Sequence, residues 1–339
     1  MSYTYLLTSS LILAANLLLS CGKDPAGPKP PGNETSNYVV TTFAGSGQGG
    51  IFDASGTSAR FTRPTALAID IQNNIYVVDA GNFCIRKITS AGTVTTLAGG
   101  QQGYADGNNL GAQFYNPTSI AADVAGNIYV ADETRIRKIT AAGVVTTLAG
   151  STTPGYADGA GSAALFNVIN SIAVNPQGNI VALEKSLPET RLRVISPAGD
   201  VSTFSTVSIY SKGIAIDAQG NLFMIDGAIG DNNIAKLSPA KVTSRFGPSP
   251  PAIGITSFQG TVFLTGIKSD FTSADVYHGV YKVNPGAYTL IAGETRSGFL
   301  DGAASDAKFN GAAGIVADAQ GNLFIADGDN NRIRKVSRR

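Results

Sequence analysis

The chain has 339 residues, with 25 Lys and Arg against 24 Asp and Glu, and this formal net charge of +1 argues against nucleic acid as its partner. With 43% hydrophobic and 14% charged residues, 40 Gly and 15 Pro, it is a turn-rich chain able to bury a core, not a disordered or fibrous polymer. A single His and two Cys rule out a zinc site of several such ligands, and leave a Ser-His-Asp or Cys-His mechanism only His278, around which no nucleophile motif stands.

Residues 6–19 form an apolar run, too short for a bilayer of ~30 Å, that reads as the core of a signal peptide. It ends in Leu18-Leu19-Ser20-Cys21, which resembles the bacterial lipobox. The resemblance implies a signal peptide over residues 1–20, a lipid on Cys21 and a membrane as one partner. Residues 21–37 are rich in Pro and Gly and read as a tether, since such a stretch cannot pack a core. Lys23-Asp24, close behind the Cys, resembles the surface-export signal of Bacteroidetes lipoproteins. Together these imply a cell envelope location, lipid-anchored to the outer membrane and facing either the surface or the periplasm.

From residue 38 the chain repeats. The second copy reads Ser119-Ile120-Ala121-Ala122-Asp123, then Gly126-Asn127-Ile128-Tyr129-Val130-Ala131-Asp132, then Arg135-Ile136-Arg137-Lys138-Ile139, then Val144-Val145-Thr146-Thr147-Leu148-Ala149-Gly150. Each piece is a short β-rich run bounded by turn residues. Four strands per unit at ~40–50 residues per unit is the spacing of propeller blades. Copies begin near Phe61, Phe114, Phe166, Tyr210, Ala252 and Phe309. The sixth ends at Arg332-Ile333-Arg334-Lys335-Val336 without a fourth strand, and a matching strand stands at the front as Val39-Val40-Thr41-Thr42-Phe43-Ala44-Gly45. Pairing the two closes a ring and removes two sheet edges. The expected fold is all-β: a six-bladed β-propeller over residues 38–339, closed by its N-terminal strand. The phrases Gly-Asn-Ile-Tyr-Val-Ala-Asp and Arg-Ile-Arg-Lys-Ile resemble NHL repeats, a family whose propellers serve as binding modules, scaffolds, sensors and enzymes.

Three constellations stand out. Acids end the second strand of five copies (Asp79, Asp132, Glu184, Asp226 and Asp327), with Gly266 in the fifth. Their recurrence points to a structural role, bonding the turn that follows. Loops carrying Tyr104 and Asp106, Tyr156 and Asp158, and Phe299 and Asp301 precede Ala-x-Phe anchors and should rim the channel face. Copies four and five lack them, and the fifth carries instead the 266–279 connection with Asp270, Asp275, Tyr277 and His278. Finally Thr65, Thr118, Asn170, Lys212, Ile253 and Ala313 each precede an innermost strand and should ring the channel mouth, polar on one arc and apolar on the other. Cys84, without a disulfide partner once Cys21 carries lipid, reads as a buried thiol.

The function expected from this pattern is non-catalytic binding or scaffolding, with a glycan, peptide or protein as ligand at Thr65, Thr118, Asn170 and Lys212, and no cofactor. The alternative is an enzyme similar to the gluconolactonase-type propellers, which hold a divalent cation in the channel. Here Asn170, Glu184 and Asp226 could supply oxygens to Ca²⁺.

Overall fold

In the computed structural model, which describes residues 34–339 apart from 187–188, 208–210, 229–230, 269–276 and 295, the repeated Asp-x-x-Gly-Asn phrase closes the inner hairpins. Gly126, Gly178, Gly220 and Gly321 take φ of 80–83°, the left-handed conformation a tight turn demands. The acid or amide ahead of each turn fixes it. Asp123 accepts the Asn127 N–H at 2.8 Å, and Asn175, Asp217 and Asp318 accept the equivalent N–H at 2.8–2.9 Å. The first copy substitutes Asn73 (φ 61°) and the fifth Gln259-Gly260 (φ 48° and 77°).

The described residues form six antiparallel sheets, the blades of a β-propeller. In the second, Pro117–Ala122 is innermost, followed outward by Ile128–Asp132, Arg135–Ile139 and Val144–Gly150. The innermost strands contact one another in sequence order, and the sixth, Ala312–Ala317, contacts the first, Pro64–Ile69. The ring is closed as expected. Tyr38–Ala44 pairs along Arg332–Arg338 from Tyr38↔Arg338 to Ala44↔Ile333, and so supplies the outermost strand of the last blade. Packing starts earlier than the residue-38 boundary. Thr35 is buried, and the Glu34 N–H bonds the Leu290 carbonyl at 3.2 Å. Residues 1–33, with the signal segment, Cys21 and most of the tether, lie outside the described residues, as do Asp270, Asp275 and the Tyr277 side chain.

Second strands are covered by a neighbouring blade on each face, so Ile128–Asp132 and Leu323–Asp327 are buried throughout instead of alternating. The core is divided into clusters at the blade interfaces. Phe61, Phe114, Phe166 and Phe309, each fully buried, plug four of them. Around the axis the inner strands approach closely. Ser119 Oγ accepts the Ile172 N–H at 3.0 Å and Ser171 Oγ the Ile214 N–H at 3.2 Å, each from the following blade. At Gly254 and Gly314 a side chain would meet the next strand's backbone, 2.0 Å from the Ala313 carbonyl and 2.7 Å from the Ala66 Cα. Cys84 is fully buried, its thiol pKa raised by burial and by Asp79 beside it.

Candidate functional site

Every innermost strand starts with an irregularity. The register slips at Thr65, Thr118, Asn170 and Ile253, and across residues 212–213 and 313–314. A β-bulge adds a residue that the partner strand does not oppose and re-aims its side chain. Here the six irregularities bring Thr65, Thr118, Asn170, Lys212, Ile253 and Ala313 to one channel of about 280 Å³, lined by all six inner strands. Thr118 is partly committed, its hydroxyl donating to the Ile169 carbonyl at 2.7 Å. Thr65 Oγ1 is buried without a hydrogen-bond partner. Lys212 is exposed, Asn170 half-buried, and among the described residues neither side chain forms a hydrogen bond or ion pair. Ile253, 43% exposed, begins the apolar arc.

The loops expected to rim this face do not line the channel. Gly107–Asn108 pairs with the start of the outermost strand of blade two, and Ala54–Ser55, Gly159–Ala160 and Gly302–Ala303 do the same in theirs. Each loop therefore adds a short fifth strand on the side of the blade away from the axis, and none of Tyr104, Asp106, Tyr156, Asp158, Phe299 or Asp301 lines the channel. The loop acids instead grip a buried arginine. Arg137, fully buried, lies 2.8 Å from Asp106 and 3.0 Å from Asp132, donates to the Gln113 and Ala105 carbonyls, and stacks 5.3 Å from the Phe114 centroid. Arg86 between Asp53 and Asp79, Arg193 between Asp158 and Glu184, and Arg334 between Asp301 and Asp327 repeat it at 2.6–3.1 Å. A Thr of the outermost strand completes each clasp: Thr96, Thr147 and Thr203 donate backbone N–H and hydroxyl to the loop acid, and Thr42 of the N-terminal strand does so to Asp301.

Four of the five strand-ending acids, all but Asp226, are structural, as their repetition suggested, but with different partners. The turn that bears an Asx-type acid is the inner hairpin. Asp79, Asp132, Glu184 and Asp327 accept instead from the chain entering their own blade, at the N–H of Thr62, Tyr115 and Asn116, Asn167, and Asn310 respectively (2.7–2.9 Å), and from the arginine. Among the described residues, Asn82 and Asn330 add contacts from the following turn. Burial raises Asp79 and Asp327 above the usual carboxylate range despite those donors. In the half-exposed Asp53, Asp106 and Asp158, burial pulls the same way but the Thr and Arg donors prevail and hold them below it. The loop aromatics cover a second set of arginines, one buried and two half-buried: Tyr104 stacks on Arg135 at 4.2 Å and bonds Glu133, Tyr156 lies on Arg191 at 4.2 Å, and Phe299 on Arg332 at 3.8 Å.

This geometry does not fit the Ca²⁺ alternative. The Glu184 carboxylate is held 2.6 Å from Arg193, and neither Glu184 nor Asp226 lines the channel beside Asn170. Among the described residues no group of three or more His, Cys, Asp or Glu could hold a metal ion. His278 sits in the third strand of blade five, 6% exposed, and burial lowers its pKa against the opposing pull of Asp329.

Two segments match known repeat families: residues 102–168 the Teneurin NHL domain, and residues 309–336 the NHL repeat. No curated protein is significantly similar in sequence. Among solved structures, a Bacteroides thetaiotaomicron protein of unknown function superposes with a TM-score of 0.65 at 15% identity, over 89% of this chain and 76% of that one. An auxiliary nutrient binding protein from Bacteroides ovatus gives 0.62 at 17%, over 90% and 77%. A gluconolactonase from Xanthomonas campestris gives 0.61 at 14%, over 90% and 92%. At such identities the likeness is one of fold.

Proposed function

We propose that the protein is a non-catalytic binding or scaffold module of the bacterial cell envelope, anchored by a lipid on Cys21, whose channel mouth takes a glycan, peptide or protein ligand. The observation that carries this reading is the arc of Thr65, Thr118, Asn170 and Lys212, three of whose side chains, all but that of Thr118, have no hydrogen-bond partner among the described residues. A lysine ammonium supplies three donors and a point charge, which suits a hydroxyl-rich or anionic group and opposes a cation nearby. The auxiliary nutrient binding protein among the structural neighbours is consistent with such a role, as is the lipobox-like Leu18-Leu19-Ser20-Cys21.

Screening the full-length protein against glycans and acidic peptides tests the site. Lys212→Ala should weaken binding about tenfold or more, the scale of one hydrogen bond to a charged group. Chelators should leave it unchanged; chelator-sensitive lactone hydrolysis would replace this reading with the enzymatic one. The anchor is tested separately. Cys21→Ala should move the protein from the membrane to the soluble fraction with its thermal midpoint intact, and unchanged membrane retention would remove the lipid from the proposal.

A further inference from the structure

Blade four keeps the acid of the clasp and loses the rest. Asp226 stands in the column of Asp79, Asp132, Glu184 and Asp327. The arginine column holds Ala235, placed between Met224 and Arg245 as Arg193 is placed between Ala182 and Thr203. No loop with an Ala-x-Phe anchor precedes the blade, since only residues 208–210 separate its first strand from blade three. A cavity of about 290 Å³ opens in this interface. Leu192 and Phe204 of blade three and Met224, Asp226 and Ala235 of blade four are among its walls. Among the described residues Asp226 Oδ1 is buried with no hydrogen-bond partner, and so is the hydroxyl of Ser211, its register partner, which does not line the cavity. Arg245 is exposed and does not line the cavity.

Blade five shows that a lost clasp can be closed over. There Gly266 replaces the acid, Tyr281 takes the arginine column, and Phe246, Tyr288 and Leu290 pack against it. Blade four has no such infill. It presents a carboxylate on a slot of mixed lining, with Ser205, Thr206, Thr243 and Lys241 beside the apolar walls, where four other blades seat a guanidinium on an aliphatic stem against an aromatic ring.

We infer that this cavity is a binding site for an alkylguanidinium, an arginine-type head on a short aliphatic stem that takes the place of the arginine blade four lacks. The fork of a guanidinium matches a carboxylate, and its weak hydration makes burial cheaper than for an ammonium. The volume stands at the small end of ligand pockets, roughly 300–1,000 Å³. Phe204 offers an aromatic face; the ammonium of the exposed Lys241, itself part of the cavity lining, rests on it at 4.7 Å and must swing out to solvent when the guanidinium binds. This slot is separate from the channel, with no lining residue in common.

Calorimetric titration of the full-length protein with n-propylguanidinium, beside its neutral isostere n-propylurea, decides the matter. The expected result is saturable one-site binding, at least about tenfold tighter than that of the urea, and weakened at least about tenfold by Asp226→Asn. Ala235→Arg should supply the guanidinium from the chain itself, abolish binding and raise the thermal midpoint. Equal binding of the two probes, binding indifferent to Asp226→Asn, or no saturation at tens of millimolar would overturn the site. If Ala235→Arg does not fold, the Asp226→Asn titration and the urea comparison carry the decision.

Discussion

Arg137→Met is expected to destabilise the propeller by about 3–5 kcal/mol, the cost of removing one partner from a buried ion pair. For a domain of this size that lowers the thermal midpoint by roughly 5–15 °C. The guanidinium is fully buried and spans Asp106, Asp132 and two carbonyls, so its loss leaves Asp132 charged and sealed with only Arg135 and two backbone N–H groups. It also frees the loop acid that pins residues 105–108 to the blade edge. Methionine fills much of the volume, which confines the test to charge and hydrogen bonding. Adding Asp132→Leu to Arg137→Met should recover part of the loss, because an apolar pair no longer strands a charge. Arg137→Lys should recover less, since an ammonium cannot fork between two carboxylates. A midpoint within 2 °C of the parent for Arg137→Met would mean that the clasp is ornamental.

Removing residues 1–45 should leave a protein that aggregates or melts far below the parent, whereas removing residues 1–33 should change the midpoint little. The longer deletion takes away Tyr38 and Val40, buried side chains worth about 1.5–3 kcal/mol each. It also exposes the edge of Arg332–Arg338 along the paired length. Thr42 goes too, so Asp301 loses the backbone and hydroxyl donors that complete the clasp of blade six. A synthetic peptide of residues 34–45 should restore part of the midpoint when added in excess, because it binds only the folded ring. Equal melting of the two truncations would show that the N-terminal strand contributes nothing to closure.

Fold and blade count were readable because the repeat unit is short and nearly every copy keeps its turn chemistry; the displaced strand 38–44 left only one way to complete the sixth unit. The channel ring was readable for a related reason. Thr65, Thr118, Asn170 and Lys212 hold one position in the repeat, and the irregular register there only sharpens their aim. The course of the loops was not readable. Gly107–Asn108 carries no strand signature, and its pairing with Val144 and Val145 is a tertiary choice. The clasp had a signal that local turn logic obscured. Arg86, Arg137, Arg193 and Arg334 share a column, and the arginine is missing from the same two copies that lack a loop. Partners about 30 residues apart, such as Arg137 and Asp106, show themselves through that joint loss and not through spacing.

Closing blade six by pairing Tyr38–Ala44 with Arg332–Arg338 also sets an order of assembly. The first five blades grow from hairpins whose strands follow one another, so they can form as local units. The sixth needs Tyr38 to meet Arg338, across almost the whole chain, and that loop can close only after the rest is compact enough to bring its ends together. Until then blades one and six are not held side by side, and Thr65 and Ala313 do not share a channel mouth. A chain lacking Arg332–Arg338 would leave Tyr38–Ala44 without its partner strand, so ligand recognition at the mouth would report that blade six had closed.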